Sequence, residues 1–217
     1  MRRGLRKAKH AFSRLSLGAV GHPAKDGPTN SASSQTVWED NLDDEVGFWN
    51  RYLSTSGLEW PEEFQMRLDP NSVVTDDLVG RHLRWLASTE VSILDVGAGP
   101  LTIINKTFPG KTLTITATDP LADDYDRLLA AARIDPPVRT ARCEGERLLT
   151  MFEYETFDIA FARTALDHSY EPIRVIRNMI GLVKTGGFVL LKHAETRRRR
   201  WDTKGSIAET STTTMAT

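Results

Sequence analysis

The chain has 217 residues, enough for one domain of ordinary size with its own core. Apolar residues are 40% and charged residues 26%, so the chain as a whole folds rather than staying disordered. A net charge of −1 argues against a basic nucleic-acid-binding surface over the whole molecule, the single Cys143 excludes an internal disulfide framework, and no apolar run approaches the ~18 residues that span a bilayer.

The ends depart from this balance. Residues 1–36 read as a basic arm and a flexible linker. Arg2, Arg3, Arg6, Lys7, Lys9, Arg14 and Lys25 occur there with no acid before Asp26. Leu5, Ala8, Phe12, Leu15 and Ala19 share one helical face. Such a face can contact an anionic membrane peripherally, act as a transit peptide or stay a solvated arm. Secretion does not fit, because no long apolar stretch is present. The expected location is cytoplasmic, with membrane-peripheral attachment as the variant. Gly21 to Ser34 is rich in Gly, Pro, Ser and Asn and marks the linker.

Residues 37–90 read as a helical cap. The pattern predicts helices over Val46–Ser54, Pro61–Arg67 and Leu78–Ala87, the second with proline in its first turn. Trp38, Phe48, Trp49, Tyr52, Trp60 and Phe64 are expected to cover one face of a sheet, with a lid over a ligand pocket as the alternative. His82 reads as a partly buried polar residue rather than a catalyst.

Residues 91–194 alternate strand and helix patterns, which predicts an α/β, doubly wound, mostly parallel sheet. Ile93–Val96 is an apolar run broken only by Asp95 and reads as a buried strand. Gly97-Ala98-Gly99-Pro100 cannot continue it. Two glycines permit a tight turn that lets a ligand approach bare backbone. A short helix is expected over Leu101–Phe108, strands over Leu113–Thr118, Val138–Cys143, Phe157–Ala162 and Phe188–Leu191, and helices over Asp123–Ile134, Arg147–Phe152 and Pro172–Val183.

A strand, a glycine turn and an acid about twenty residues on is a nucleotide-type arrangement. Asp119 lies twenty residues beyond Gly99 and can take a bidentate hydrogen bond from ribose hydroxyls, or cap the following turn. Thr102 stands where the dinucleotide fingerprint has its third glycine, which weakens that reading. Asp95 can accept from loop donors or meet a cationic ligand group. No His/Cys/Asp cluster has metal-ligand spacing, so no metal is expected.

Five motifs in order resemble class I S-adenosylmethionine-dependent methyltransferases, in the broad small-molecule branch. Val91 to Pro100 looks like the first, Ala117-Thr-Asp119-Pro120-Leu121 the second, and Arg142-Cys-Glu144-Gly145-Glu146 the loop after the third strand. Phe157 to Ser169 looks like the fourth-strand motif, and Lys184 to Leu191 like the fifth strand with its turn. The resemblance implies a Rossmann-like fold and S-adenosylmethionine as cofactor. It implies Asp95, Gly97, Ala98, Gly99 and Pro100 against the methionine part, Asp119, Pro120 and Leu121 at the ribose, and Glu144, Gly145 and Glu146 on the adenine side. Arg163 and Ala165 line the same site. Asp167 and His168, just past the fourth strand, are the candidate acid–base residues; the alternative is that His168 packs at the start of the next helix. A small molecule, or a glycan or lipid precursor, is the expected methyl acceptor, with no nucleic acid partner. The competing readings are a cofactor-binding protein without catalysis and an NAD- or nucleotide-sugar-binding protein.

Members of that family generally carry a further helix and an antiparallel strand pair after the fifth strand. Residues 195–217, with Arg197–Arg200 and a Ser/Thr-rich end, are expected to be a disordered tail, the last strand pair lacking and the product truncated.

Overall fold

The computed structural model describes residues 31–194 and 210–216. The basic amphipathic face and the arginine run lie outside these residues. The described chain runs α1 (Ser31–Ser54), α2 (Pro61–Leu68), α3 (Asp77–Trp85), β1 (Glu90–Val96), β2 (Thr112–Asp119), α4 (Ala122–Ala132), β3 (Thr140–Arg142), β4 (Phe157–Arg163), α5 (Pro172–Leu182), β5 (Val183–Ala194) and β6 (Thr210–Ala216). Two 3₁₀ segments, Gly145–Thr150 and Leu166–His168, flank β4. Among the described residues no helix is long and apolar enough to cross a membrane.

The sheet order is β3-β2-β1-β4-β5-β6. Strands β1 to β5 pair in parallel, and the doubly wound, mostly parallel sheet stands as expected. Chain order reverses between β1 and β4, which opens a crevice outside their carboxyl ends. Successive side chains of β1 face opposite layers, as the pleat requires. Leu94 and Val96 join the cluster under α5 with Leu148, Val175 and Met179. Val91 and Ile93 join the opposite cluster with Leu83 of α3 and Phe161 of β4. Both faces are covered, so β1 reads as a continuous apolar run. A third cluster ties Tyr52, Leu53 and Phe64 to Leu101 and to Leu129 of α4.

Three expectations are corrected. Helix α1 begins at Ser31, fifteen residues before Val46 and inside the expected linker. No glycine or proline interrupts 31–46, and serine tolerates helix well enough to continue it. Residues 101–108 form no helix. Thr102, Ile103, Ile104 and Thr107 are β-branched, and the Thr102 hydroxyl accepts from Ile104 N at 3.1 Å, a local bond that competes with helix. The expected turn at Gly186-Gly187 lies inside β5: Gly186 has φ of +84°, and pairing with β4 steps from Val183 to Phe188. Finally, residues 210–216 are not a disordered tail. They form β6, antiparallel to β5, with Phe188 opposite Ala216 and Ala194 opposite Thr210. Threonine-rich backbone favours extension, and the outer edge of β5 offers a row of unpaired donors and acceptors. One antiparallel strand therefore stands where the sheet was expected to end bare.

Candidate functional site

A cleft of about 1280 Å³ opens at the carboxyl ends of β1, β2 and β4. Its floor is the glycine turn. Gly97 and Gly99 have φ of +69° and +66°, which glycine adopts at no steric cost. A Cβ on Gly97 would stand 2.3 Å from the Ala165 Cβ, and one on Gly99 2.4 Å from the Trp49 indole. Both positions are closed to any side chain. The turn is stitched to β2: Gly97 N and Ala98 N donate to the Thr118 carbonyl at 2.8 and 3.1 Å. Gly99 N donates to Asp119 Oδ2 at 3.0 Å. The loop thus presents bare glycine surface, its N–H groups being already used.

Asp119 ends β2 and is 4% exposed. Its other oxygen accepts from Leu121 N at 3.0 Å, so the turn-capping role holds at the same residue that faces the cleft. Burial pushes its carboxyl up to about 7, the Leu121 bond opposes this, and the Glu45 charge adds to it. Asp95 is 2% exposed, at the carboxyl end of β1. It takes the Thr102 hydroxyl at 2.5 Å, so the residue at the third glycine position satisfies the strand acid. Burial holds the Asp95 carboxyl up at about 6.

The adenine-side acids divide. Glu144 Oε2 accepts from the Tyr170 hydroxyl at 2.9 Å and lines the cleft. Glu146 is buried and accepts from the Glu171 N–H at 3.0 Å, which fixes the entry into α5. Gly145 packs on Val175, where a Cβ would meet Cγ1 at 2.8 Å. Past β4, Thr164 has φ of +50°, an outlier for a β-branched residue, and it turns Ala165 in against Gly97. Arg163 reaches Glu63 Oε2 at 3.5 Å. His168 is exposed at the rim, its Nε2 3.9 Å from Asp167 Oδ2 and its Nδ1 3.9 Å from Glu45 Oε2. Of the expected residues, Asp95, Gly97, Ala98, Asp119, Pro120, Glu144, Gly145, Glu146, Arg163, Ala165, Asp167 and His168 line the cleft. Gly99, Pro100 and Leu121 are not among its lining residues; Gly99 and Leu121 are tied to it through Asp119, and Gly99 also packs on Trp49.

The wall facing the glycine turn comes from α1 and α2, and the motifs did not point to it. Glu45, Trp49 and Tyr52 follow one face of α1 and line the cleft with Glu63 and Arg67 of α2. The aromatic segment therefore divides between both expected roles: α3 covers the sheet, and α1 walls the cleft. Arg67 is buried, bonds Glu63 at 2.8 Å and the Leu101 carbonyl, and lies 5.8 Å from the ring centres of Trp49 and Tyr52. The Tyr52 hydroxyl is buried there without a hydrogen-bond partner, and burial raises its pKa. Recurrence of Glu45, Trp49 and Tyr52 at spacings of four and three was the available signal. His82 is away from the cleft and fully buried rather than partly so, its Nδ1 2.7 Å from the Leu78 carbonyl and its ring against Trp85 and Phe188.

These residues fit an adenosine–amino acid cofactor. The cleft exceeds the ~300–1,000 Å³ of ordinary ligand pockets, which leaves room for a second molecule. It combines a glycine cradle, a buried acid at the end of β2, and an arginine-rich corner with an unpartnered hydroxyl.

Comparison with known proteins agrees. Residues 94–191 match the model of a methyltransferase domain. No curated protein matches the chain. Among solved structures, YcgJ of Bacillus subtilis shares 20% identity over 54% of this chain and 50% of its own, with a TM-score of 0.39. An arsenic(III) S-adenosylmethionine methyltransferase of Chlamydomonas reinhardtii shares 18% over 50% of this chain and 40% of its own, with a TM-score of 0.41. The chain thus spans half or less of either protein. Over residues 94–191 the α/β core is thus similar to methyltransferase domains.

Proposed function

We propose that the cleft holds S-adenosylmethionine and delivers its methyl group to a small-molecule acceptor, a glycan or lipid precursor included. The observation that carries this reading is the meeting of the glycine turn with Asp119: two glycines closed to side chains, bonded to a buried acid at the next strand end. S-adenosylmethionine supplies an electrophilic methyl group, so the protein's task is mainly to bind, orient and exclude water.

Gly97 and Ala98 lie against the methionine part, Asp119 takes the ribose hydroxyls, and Glu144 with Gly145 borders the adenine. Arg67 and Arg163 offer the methionine carboxylate a cationic corner. His168 at the rim takes the proton that an O–H or N–H acceptor releases, and Asp167 and Glu45 support the charge it gains. The test is methyl transfer from labelled cofactor to a metabolite extract. His168→Gln is expected to lower the rate about 10²–10⁴-fold while binding of S-adenosylhomocysteine persists. An unchanged rate removes His168 from the chemistry, and no transfer by the wild type to any acceptor leaves cofactor binding as the whole function.

A further inference from the structure

Charges in the cleft are unevenly matched. Eight carboxylates line it, against Arg67, Arg163 and His168 as its basic side chains, and no lysine lines it among the described residues. Both arginines share Glu63, at 2.8 and 3.5 Å, in the corner that takes the methionine carboxylate. Four of the other acids are engaged by the fold. Asp95 holds Thr102, Asp119 holds the N–H groups of Gly99 and Leu121, Glu144 accepts from Tyr170, and Glu146 accepts from the Glu171 N–H. Three remain: Asp44 and Glu45 on α1, and Asp167 just past β4. Among the described residues no lysine or arginine forms an ion pair with them; their basic neighbour is His168, 3.9 Å from Glu45 and from Asp167.

Aromatic faces accompany these acids. Asp44 and Glu45 precede Phe48 by four and three residues on α1, so the ring and the carboxylates share one helix face. Trp60, leading into α2, lines the same cleft with 51% of its surface open. An indole half open to a cleft adds little to the core and offers a π face to a ligand. Acids and aromatic faces together recognise cations: the acids supply counter-charge, and the rings attract an ammonium through their quadrupole. An anionic acceptor meets the reverse, because the arginines are committed and the free carboxylates repel it. A neutral hydroxyl acceptor gains hydrogen bonds but no charge attraction.

We propose that the methyl acceptor is a protonated amine, held by Asp44, Glu45 and Asp167 with the Phe48 and Trp60 rings as its aromatic contacts. This rests on the methyltransferase reading of the cleft and narrows its acceptor. For transfer the ammonium yields one N–H proton to His168, and the lone pair so freed bonds to the methyl carbon. The carbon–sulfur bond breaks with its electron pair left on sulfur, and the nitrogen carries the positive charge in the product.

The experiment uses the full chain with S-adenosylhomocysteine at saturation, so that the cofactor's own charges are already accommodated. Three probes of similar shape are titrated by ligand-observed NMR: benzylamine, benzyl alcohol and benzoate. Benzylamine is expected to bind about tenfold or more tighter than benzyl alcohol, with benzoate the weakest. Asp44→Asn combined with Asp167→Asn removes two of the three free charges at exposed positions, and bound S-adenosylhomocysteine reports that the variant is folded. The double variant is expected to weaken benzylamine about fivefold or more and to change benzyl alcohol less than about twofold. Equal binding of benzylamine and benzyl alcohol overturns the proposal, as does tighter binding of benzoate. So does a double variant that binds benzylamine as the wild type does, or no binding of any probe by a protein that holds S-adenosylhomocysteine. If S-adenosylhomocysteine fails to bind, the probes are titrated alone. A benzylamine preference that the double variant loses then leaves the cation site standing while the cofactor reading falls, and its absence removes both.

Discussion

Two pairs of aspartates divide the molecule by function. Asp158 and Asp76 each hold a lysine: Lys184 bonds both oxygens of Asp158 at 3.0 Å, and Lys192 bonds Asp76 at 2.7 Å. Burial would raise both carboxyls, yet hydrogen bonds and the lysines hold them below the ordinary range. Asp95 and Asp119 lie at the carboxyl ends of β1 and β2 with no cation bonded to them among the described residues, and burial pushes them to about 6 and about 7. The paired acids are framework. The cleft acids are kept at an energetic cost, which marks a site built for something other than stability.

The pH dependence sharpens that contrast most. In the folded chain Asp119 titrates near 7 against an ordinary 3.8. Between those values the folded state keeps a proton that the unfolded chain has released. The contribution is fully present below the ordinary value and is lost as pH rises through about 7. Chemical denaturation of the ligand-free protein should show wild type losing stability relative to Asp119→Asn, on the order of 3–4 kcal/mol from pH 4 to 8. Asp158 has the opposite sign: its contribution is present above the ordinary carboxylate value and is lost as pH falls through its depressed one. A flat difference for Asp119→Asn would erase the distinction between the two pairs.

The glycines test the floor of the cleft. Gly97→Ala adds a Cβ 2.3 Å from that of Ala165 at positive φ, and should cost about 2–4 kcal/mol from strain and overpacking. Gly110 also has positive φ but open space around it, so Gly110→Ala should cost only about 1 kcal/mol. Equal melting shifts for the two would mean that closeness to Ala165 is unimportant. A smaller effect is expected at the framework pair. Asp158→Asn weakens the Lys184 pair and one of the bonds to Ser92, and should cost about 1–2 kcal/mol without altering ligand binding.

Much of this was legible in the sequence because it is local. Apolar runs mark β1 and β4, two glycines mark a turn, and the spacing of Asp119 from Gly99 marks a strand-end acid. The wall of the cleft was not, because Glu45, Trp49, Tyr52 and Arg67 meet the turn only through the packing of α1 and α2. Thr102 looked like a missing glycine, and its bond to Asp95 depends on a loop that β-branching keeps from becoming helix. Strand β6 was hidden because threonine runs resemble low-complexity sequence, and extension there depends on the edge that β5 provides.

Calorimetric titration with S-adenosylhomocysteine and with NAD tests the central claim directly, on wild type and on Asp119→Ala. S-adenosylhomocysteine should bind and NAD should not, and Asp119→Ala should weaken binding by about 1–3 kcal/mol, the usual cost of leaving buried polar groups unpaired. Binding of NAD alone would contradict the methyl-transfer account. Unchanged affinity in Asp119→Ala would remove the strand-end acid from the site.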